Sequence, residues 1–274
     1  MPVVAIDSAD DPRLDDYRAV REPELVRRRG QFIAESRLVV ARLVALPRYT
    51  IRSILATPSG LAGLRELTAD APVPGDPPIF VAPDAVIEAL GGIHFHRGCL
   101  AVVDRPAPLD PTTILAAAAP GRPLIAVEGV AHADNIGSIL RNARAFGAAG
   151  VLLDGATVDP LYRKALRTSM GAALAVPWTR LAPWPDGLAR LRQSGCVVAA
   201  LTPQAPGDTL AAFATAHADR PVALLVGAEG EGLSAPALAF ADARVRIPMA
   251  AGADSVNVAT ATGIALYALT QPYR

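Results

Sequence analysis

After residue 120 the chain alternates short apolar runs with stretches in which apolar residues recur every three to four positions. Short apolar runs are typical of buried strands, and the longer period is typical of helices packed on one side. The predicted strands are PLIAVEG (123–129), GVLLDG (150–155), CVVAALT (196–202), PVALLVG (221–227) and ARVRIPM (243–249). The predicted helices cover 135–147, 160–170, 183–194, 209–217, 233–240 and 256–269. This alternation predicts an α/β fold with a parallel sheet and helices on both faces.

The first 105 residues show a less regular pattern that mixes the same two periods. Apolar residues at three- and four-residue steps predict helical structure over residues 10–45. Shorter apolar runs then predict strands at 50–57, 78–83 and 99–104 and a helix at 84–90. These elements predict a small α/β unit ahead of the larger one.

A proline-rich stretch separates the two patterns. The sequence DRPAPLDPTTILAAAAPGR (104–122) contains four prolines, and proline interrupts both helices and sheets. We therefore predict a small α/β domain at 1–105, a linker at 106–120 and a larger domain at 121–274.

Composition narrows the classes of protein to which the chain can belong. Of 274 residues, 51% are apolar and 19% are charged, which is too apolar for a disordered chain. No apolar run approaches the roughly 18 residues of a membrane span, and acidic residues stand where a signal peptide would carry positive charge. The two cysteines, Cys99 and Cys196, lie in apolar surroundings typical of buried thiols. We expect a soluble, cytoplasmic protein without a metal site.

The charges balance overall but cluster locally. The chain carries 26 basic and 26 acidic residues. Five arginines lie between Arg18 and Arg29, and five cations lie between Arg141 and Arg167. Each cluster is explained either by a solvated helix face or by contacts to phosphate groups, for which arginine is well suited. The charge pattern by itself leaves both explanations open.

The first of three loops after predicted strands lies within VEGVAHADNIGSILRNARAFGAAGV (127–151). Such loops are candidate sites because ligands bind at the carboxyl ends of parallel strands. Asp134 or Asn135 can cap the following helix. Leu140 falls on the stripe predicted to face the sheet, and Arg141 stands beside that stripe. An ordinary capped helix with a surface arginine also accounts for this pattern.

The second loop lies within LLVGAEGEGLSAP (224–236) and carries three glycines in the order G-x-x-G-x-G. That order differs from the dinucleotide fingerprint, and the loop lies late in the chain rather than after a first strand. Glycines let the backbone approach a ligand closely, while the carboxylate of Glu229 would repel a pyrophosphate. The loop therefore suits a neutral or cationic ligand without phosphate, although a tight turn explains it as well.

The third loop lies within RIPMAAGADSVNVATATGIALYAL (246–269), where Ser255 or Asn257 can cap the last helix. Other chemistry has little support. His94-x-His96 is a weak metal signal, and the chain has neither a G-x-S-x-G elbow nor a P-loop.

These loops, in this order, resemble the three motifs of the SpoU (TrmH-like) family in the SPOUT superfamily of S-adenosylmethionine-dependent RNA methyltransferases. The similar segments are NIGSILR (135–141), LVGAEGEGL (225–233) and IPM with SVNVA (247–259). DPLYRKALRTSMGA (159–172) resembles the segment between the first two motifs, and RRRGQFIAES (27–36) is similar to part of the family's RNA-recognition domain. The chain is thereby identified as a member of this family.

The resemblance implies a C-terminal domain with a deep trefoil knot, a homodimer whose subunits complete each active site, and an RNA substrate. It implies that S-adenosylmethionine is the methyl donor and that the product is a 2′-O-methylated ribose. The positions that match donor contacts are Thr202, Gly227, Ile247, Met249 and Val256, where leucine is commoner than valine at the last. The candidate RNA-binding cations are Arg27, Arg28, Arg29, Arg144, Lys164 and Arg167.

The resemblance also implies a set of catalytic positions, which are Asn135, Arg141, Glu229, Ser255 and Asn257. Arg141 is the family's usual candidate for the base. An arginine side chain keeps its proton at neutral pH, so a clamp on the phosphate of the target nucleotide is the preferred role. The role as base stays open.

Three alternatives remain at this stage. An inactive RNA-binding module of the same fold would keep the three loops without catalysis, and a dinucleotide-dependent oxidoreductase would need the glycine order that this chain lacks. Within the family, the separate N-terminal region favours rRNA as the substrate, and tRNA is the alternative.

Overall fold

The computed structural model describes residues 2–18, 25, 29–69, 71–90, 98–203 and 207–270. In chain order the strands are β1 (Val3–Ala5), β2 (Gln31–Glu35), β3 (Ile51–Ala56), β4 (Ile79–Val81), β5 (Cys99–Asp104), β6 (Leu124–Val127), β7 (Gly150–Leu153), β8 (Trp178–Arg180), β9 (Val197–Leu201), β10 (Asp208–Thr209), β11 (Val222–Val226) and β12 (Ala243–Arg246). The helices are α1 (Arg37–Val44), α2 (Pro58–Thr68), α3 (Asp84–Glu88), α4 (Pro111–Leu115), α5 (Ala133–Ala145), α6 (Arg163–Thr168), α7 (Ala172–Ala175), α8 (Ala189–Gln193), α9 (Leu210–Ala216), α10 (Ala235–Ala239) and α11 (Val258–Thr270). Short 3-10 helices cover Pro12–Tyr17 and Asp186–Leu188.

The chain divides into two compact units. The first contains Met1–Ala107 together with Leu161–Leu174, and the second contains Pro108–Pro160 and Ala175–Arg274. This division differs from the predicted one because the segment that carries α6 packs in the first unit. The predicted linker also differs, since α4 lies within it and buries Ile114 and Leu115 in the core of the second unit.

The first unit is built on a mixed sheet with the strand order β1-β4-β3-β5-β2. β1, β4 and β3 are parallel, and β5 runs antiparallel to both β3 and β2. The predicted strands at 50–57, 78–83 and 99–104 and the predicted helix at 84–90 are confirmed with slightly different bounds.

The helix predicted over 10–45 is wrong at residues 31–35. That segment forms β2, in which Phe32 pairs with Val103 and Ala34 pairs with Ala101 of β5. Its side chains from Phe32 to Glu35 are buried. Pairing with a strand far along the chain outweighs the local helical period, which is how tertiary context overrides propensity.

The second unit is built on a sheet in which, among the described residues, seven strands are all parallel. Their order is β10-β12-β9-β11-β6-β7-β8. Every residue of β6, β7 and β11 is buried, so both faces of the central strands are covered. The five strands and six helices predicted after residue 120 are confirmed with shifted bounds, although the helix predicted at 160–170 forms α6 of the first unit. The strands β8 and β10 were not predicted.

Both cysteines are free and buried, as predicted. Burial raises the pKa of Cys99 to about 12 and also raises the pKa of Cys196. Burial thus disfavours the thiolate, which is the nucleophilic form, at both cysteines. Within the described ranges, no helix is long and apolar enough to cross a membrane.

Candidate functional site

A cavity of about 610 Å³ lies at the carboxyl ends of three neighbouring strands of the second unit. Leu201 ends β9, Val226 ends β11, and Ile247 follows the last residue of β12; all three line the cavity. This edge of a parallel sheet is where ligands are expected to bind. The cavity size falls in the range of small-molecule sites.

The glycine-rich loop after β11 forms one wall and is folded tightly back on itself. The N–H of Gly232 donates to the carbonyl of Ala228 at 3.0 Å. A Cβ atom on Gly227 would lie 2.3 Å from the carbonyl carbon of Gly232, and Gly232 itself has a φ of +71°. Both positions therefore require glycine, the first for close approach and the second for its backbone conformation.

The loop after β12 forms another part of the lining. The five residues predicted to contact the methyl donor all line this one cavity: Thr202, Gly227, Ile247, Met249 and Val256. Val256 is 40% exposed, which leaves its side chain accessible to a ligand. The lining also contains the carboxylates of Glu229 and Asp254, and no Lys, Arg or His among its described residues. This composition disfavours phosphate and suits a neutral or cationic ligand.

One side-chain amide connects all three loops. Asn257 donates from Nδ2 to Oδ1 of Asn135 at 2.9 Å and to Oε1 of Glu229 at 2.5 Å. Its Oδ1 accepts from the backbone N–H groups of Ala259 and Thr260 and so caps α11. The prediction that Asn257 caps the last helix is confirmed.

The predicted cap of α5 is wrong. The helix begins at Ala133 after His132, whose side chain makes no capping bond, rather than at Asp134 or Asn135. Asn135 already lies in the first turn, and its side-chain oxygen accepts from Asn257 instead. The side-chain oxygen that the N-capping rule assigned to the helix is therefore used in a contact with a residue far along the chain.

The other predicted catalytic residues are placed differently from one another. Ser255 is exposed and lines the cavity beside Asn257. Arg141 is exposed on α5, outside the cavity lining, and its side chain has no hydrogen bond or ion pair to any residue that the structure describes. The structure thus brings together Asn135, Glu229, Ser255 and Asn257 but not Arg141.

The predicted RNA-binding cations that the structure describes are carried by both units. Arg27 and Arg28 lie outside the described residues, and Arg29 pairs with Asp16 at 2.5 Å in the first unit. Lys164 and Arg167 lie on α6 of the first unit, where Arg167 approaches Glu35 at 3.5 Å. Arg144 is exposed on α5 of the second unit.

Two residues near the site were missed in the sequence. Asp254 lines the cavity, and its position between the two halves of the third motif was the available signal. Glu128, one residue after β6, accepts hydrogen bonds from Trp184 and Ser234, which lie 56 and 106 positions away. Contacts at such distances along the chain leave no local pattern. Among the described residues, no group of three or more His, Cys, Asp or Glu is placed to hold a metal ion.

Comparison with known proteins identifies relatives over most of the chain. Residues 122–267 match the SpoU rRNA Methylase family. An uncharacterized tRNA/rRNA methyltransferase of Mycobacterium tuberculosis is 41% identical over 266 residues, which cover 96% of this chain and 90% of that protein. The AdoMet-bound rRNA methyltransferase from Sinorhizobium meliloti is similar in structure, with a TM-score of 0.80 and 27% identity over 99% of both chains. A solved RNA 2′-O ribose methyltransferase gives a TM-score of 0.77 and 26% identity over 98% of both chains.

Proposed function

Because this chain belongs to the SpoU rRNA methylase family, we propose that it transfers a methyl group from S-adenosylmethionine to a ribose 2′-hydroxyl of RNA, with rRNA as the substrate. The observation that carries the proposal is the cavity at the carboxyl ends of β9, β11 and β12. Residues of the second and third motifs line it, and Asn135 of the first motif is hydrogen-bonded to Asn257 in its lining. The likeness to an RNA 2′-O ribose methyltransferase supports the choice of the ribose hydroxyl.

The cavity fits S-adenosylmethionine in size and in charge. Its volume of about 610 Å³ accommodates a nucleoside with an amino-acid arm. Two carboxylates and no described cation in the lining favour a sulfonium over a phosphate. When bound, the donor would supply an electrophilic methyl group: the ribose oxygen would gain the carbon, the electron pair of the C–S bond would stay on sulfur, and the hydroxyl proton would pass to water. Gly227, Ile247, Val256, Thr202 and Met249 would hold this donor.

The work of the polar residues is mainly to position the two reactants. Asn257 orients Asn135 and Glu229, since it donates to both side chains. Ser255, beside it at the cavity wall, is available to bind the nucleotide. Arg141 binds the phosphate next to the target ribose and stabilises negative charge on the attacking oxygen, because a guanidinium offers several donors and no acceptor.

The proposal includes a homodimer that completes the active site. α5 and α11 line a groove of about 520 Å³, and two apolar side chains in its lining, Ile264 and Tyr267 of α11, are 40% and 53% exposed. Such large exposed apolar side chains in one patch are typical of an interface. The exposed position of Arg141 on α5 is consistent with its serving the active site of the partner subunit.

Ile264→Asp is expected to convert the dimer to a monomer, because it places a charge in the apolar patch. Sedimentation equilibrium measures the change. Leu67→Asp is the matched control, since Leu67 is 53% exposed on α2 of the first unit. A wild-type protein that sediments as a monomer, or a variant that stays dimeric, would refute this interface.

Calorimetric titration with S-adenosylmethionine, S-adenosylhomocysteine and NADH tests the proposed function directly. We expect saturable binding of the first two ligands and none of NADH. RNA from a deletion strain, mapped for 2′-O-methylation with and without the restored gene, then identifies the substrate.

Each alternative predicts a different outcome of these measurements. Loss of one 2′-O-methyl mark from rRNA supports the proposal. Loss from tRNA supports tRNA as the alternative substrate, since the Mycobacterium tuberculosis relative is named a tRNA/rRNA methyltransferase. Methylation of a base rather than a ribose would contradict it. Donor binding without any lost mark would instead favour an inactive RNA-binding module of this fold.

A further inference from the structure

Glu128 contacts both ends of the glycine-rich loop that lines the cavity. Its backbone N–H donates to the carbonyl of Val226, just before the loop, at 2.9 Å. Its carboxylate accepts from Ser234, just after the loop: the backbone N–H donates to Oε2 and the hydroxyl to Oε1, each at 2.8 Å. The segment 227–233 between these contacts supplies five of the residues that line the cavity.

A third hydrogen bond orients the carboxylate. The indole Nε1 of Trp184 donates to Oε1 of Glu128 at 2.8 Å. Trp184 packs against the apolar core of the second unit, and so does Leu233, next to Ser234. Glu128 therefore connects the end of the loop to the core through a carboxylate that Trp184, a half-buried side chain packed on the core, holds in place.

The contact to Ser234 also reaches the helix that follows. The Ser234 hydroxyl accepts from the N–H of Ala237 at 3.2 Å and caps α10. One serine is thus donor to Glu128 and acceptor for the helix, so its rotamer is determined from both sides. The loop between Val226 and Ser234 is therefore held at both ends by hydrogen bonds to Glu128, which lies outside it.

We infer that Glu128 is a positioning residue for donor binding, which holds the loop 227–233 in the shape that the methyl donor requires. The inference rests on the proposed function and names a residue outside the three motifs. Glu128 does not line the cavity, so it acts through the loop rather than by contact with the donor. A loop already held in its binding shape loses less conformational entropy when the ligand binds.

Glu128→Gln tests the inference because the amide replaces one acceptor oxygen with a donor. Whichever way it turns, its NH2 group opposes either the N–H of Ser234 or the N–H of Trp184. We expect the Kd values for S-adenosylmethionine and S-adenosylhomocysteine each to rise about tenfold, measured by calorimetry at 20 °C. With saturating donor, kcat should fall less than kcat/KM, because the defect is in binding.

Comparison of the two ligands separates positioning from charge. S-adenosylhomocysteine lacks the sulfonium charge, so a loss confined to S-adenosylmethionine would mean that Glu128 acts through its negative charge, and the inference would be overturned. Glu231→Gln is the matched control, since it removes a carboxylate from the same loop at an exposed position outside the cavity lining. Its two Kd values should change by less than about twofold.

A purely structural role is also distinguishable. A lower Tm of Glu128→Gln with unchanged Kd values would overturn the inference. If that variant does not fold, Ser234→Ala decides: it removes one of the two bonds between Ser234 and Glu128, together with the cap of α10. We expect a rise of about threefold in both Kd values, and unchanged values would overturn the inference. A wild-type protein that binds neither ligand would reject the proposed function, whereas equal binding by wild type and Glu128→Gln rejects this inference alone.

Discussion

Arg141→Ala is expected to lower the rate of methyl transfer by about a hundredfold or more and to leave the Kd for S-adenosylmethionine within about twofold of the wild-type value. The two effects separate because the side chain is exposed on α5 and lies outside the cavity that would hold the donor. A guanidinium that binds the RNA phosphate contributes only when RNA is present. Single-turnover methylation of RNA and calorimetric titration of the donor measure the two quantities.

Two further variants sharpen this result. Arg141→Lys keeps the charge but loses the bidentate geometry, so a partial rate between those of wild type and Arg141→Ala is expected. Arg220→Ala removes an exposed arginine just before β11, at the strand end opposite the cavity, and should leave the rate unchanged. Lost donor binding in Arg141→Ala would refute its assignment to the RNA side of the reaction.

Asn257→Ala is expected to lower the free energy of unfolding by about 1–2 kcal/mol, which corresponds to a fall in Tm of about 2–4 °C per kcal/mol. The variant loses the cap of α11 and both hydrogen bonds from Nδ2. It also removes the amide to which both Glu229 and Asn135 are hydrogen-bonded, so donor binding and turnover should fall together. Differential scanning calorimetry and donor titration measure the two effects.

Asn257→Asp distinguishes the contribution of the α11 cap from that of the hydrogen bonds that connect the loops. Aspartate retains an acceptor for the N–H groups of Ala259 and Thr260 but places a second carboxylate at the position 2.5 Å from Glu229. Repulsion between the two carboxylates should weaken donor binding more than it destabilises α11. Thr209→Ala is the control, because it removes a similar cap from α9, outside the cavity lining. An unchanged Tm in Asn257→Ala would argue against the stabilising role of Asn257.

Much of the second unit was predictable because its signals are local. Each buried parallel strand is a continuous apolar run, and each helix repeats apolar residues with its own period. The glycine loop was recognisable for the same reason, since Gly227 and Gly232 are demanded by their immediate backbone surroundings. The candidate ligand-binding loops were predictable as well, because ligands bind at the carboxyl ends of the strands of a parallel sheet.

The wrong predictions concern segments whose structure depends on a partner that is distant in the sequence. β2 was predicted as helix because its period is ambiguous, and only its pairing with β5 makes it a strand. The segment Leu161–Leu174 follows β7 in the chain yet packs in the first unit. Asn135 was one of two residues predicted to cap α5, but its side chain accepts a hydrogen bond from Asn257, 122 positions away.

The sequence by itself therefore determined the α/β class of the second unit, most of the strands and helices that build it, and the loops that hold the candidate site. Only the tertiary structure decided which polar side chains meet there: Asn257 with Asn135 and Glu229, and Glu128 with Ser234 and Trp184. The reason is physical. Apolar periodicity is imposed on neighbouring residues by the geometry of a helix or strand, whereas a hydrogen bond between loops depends on how separate elements are brought together, and no local period records it.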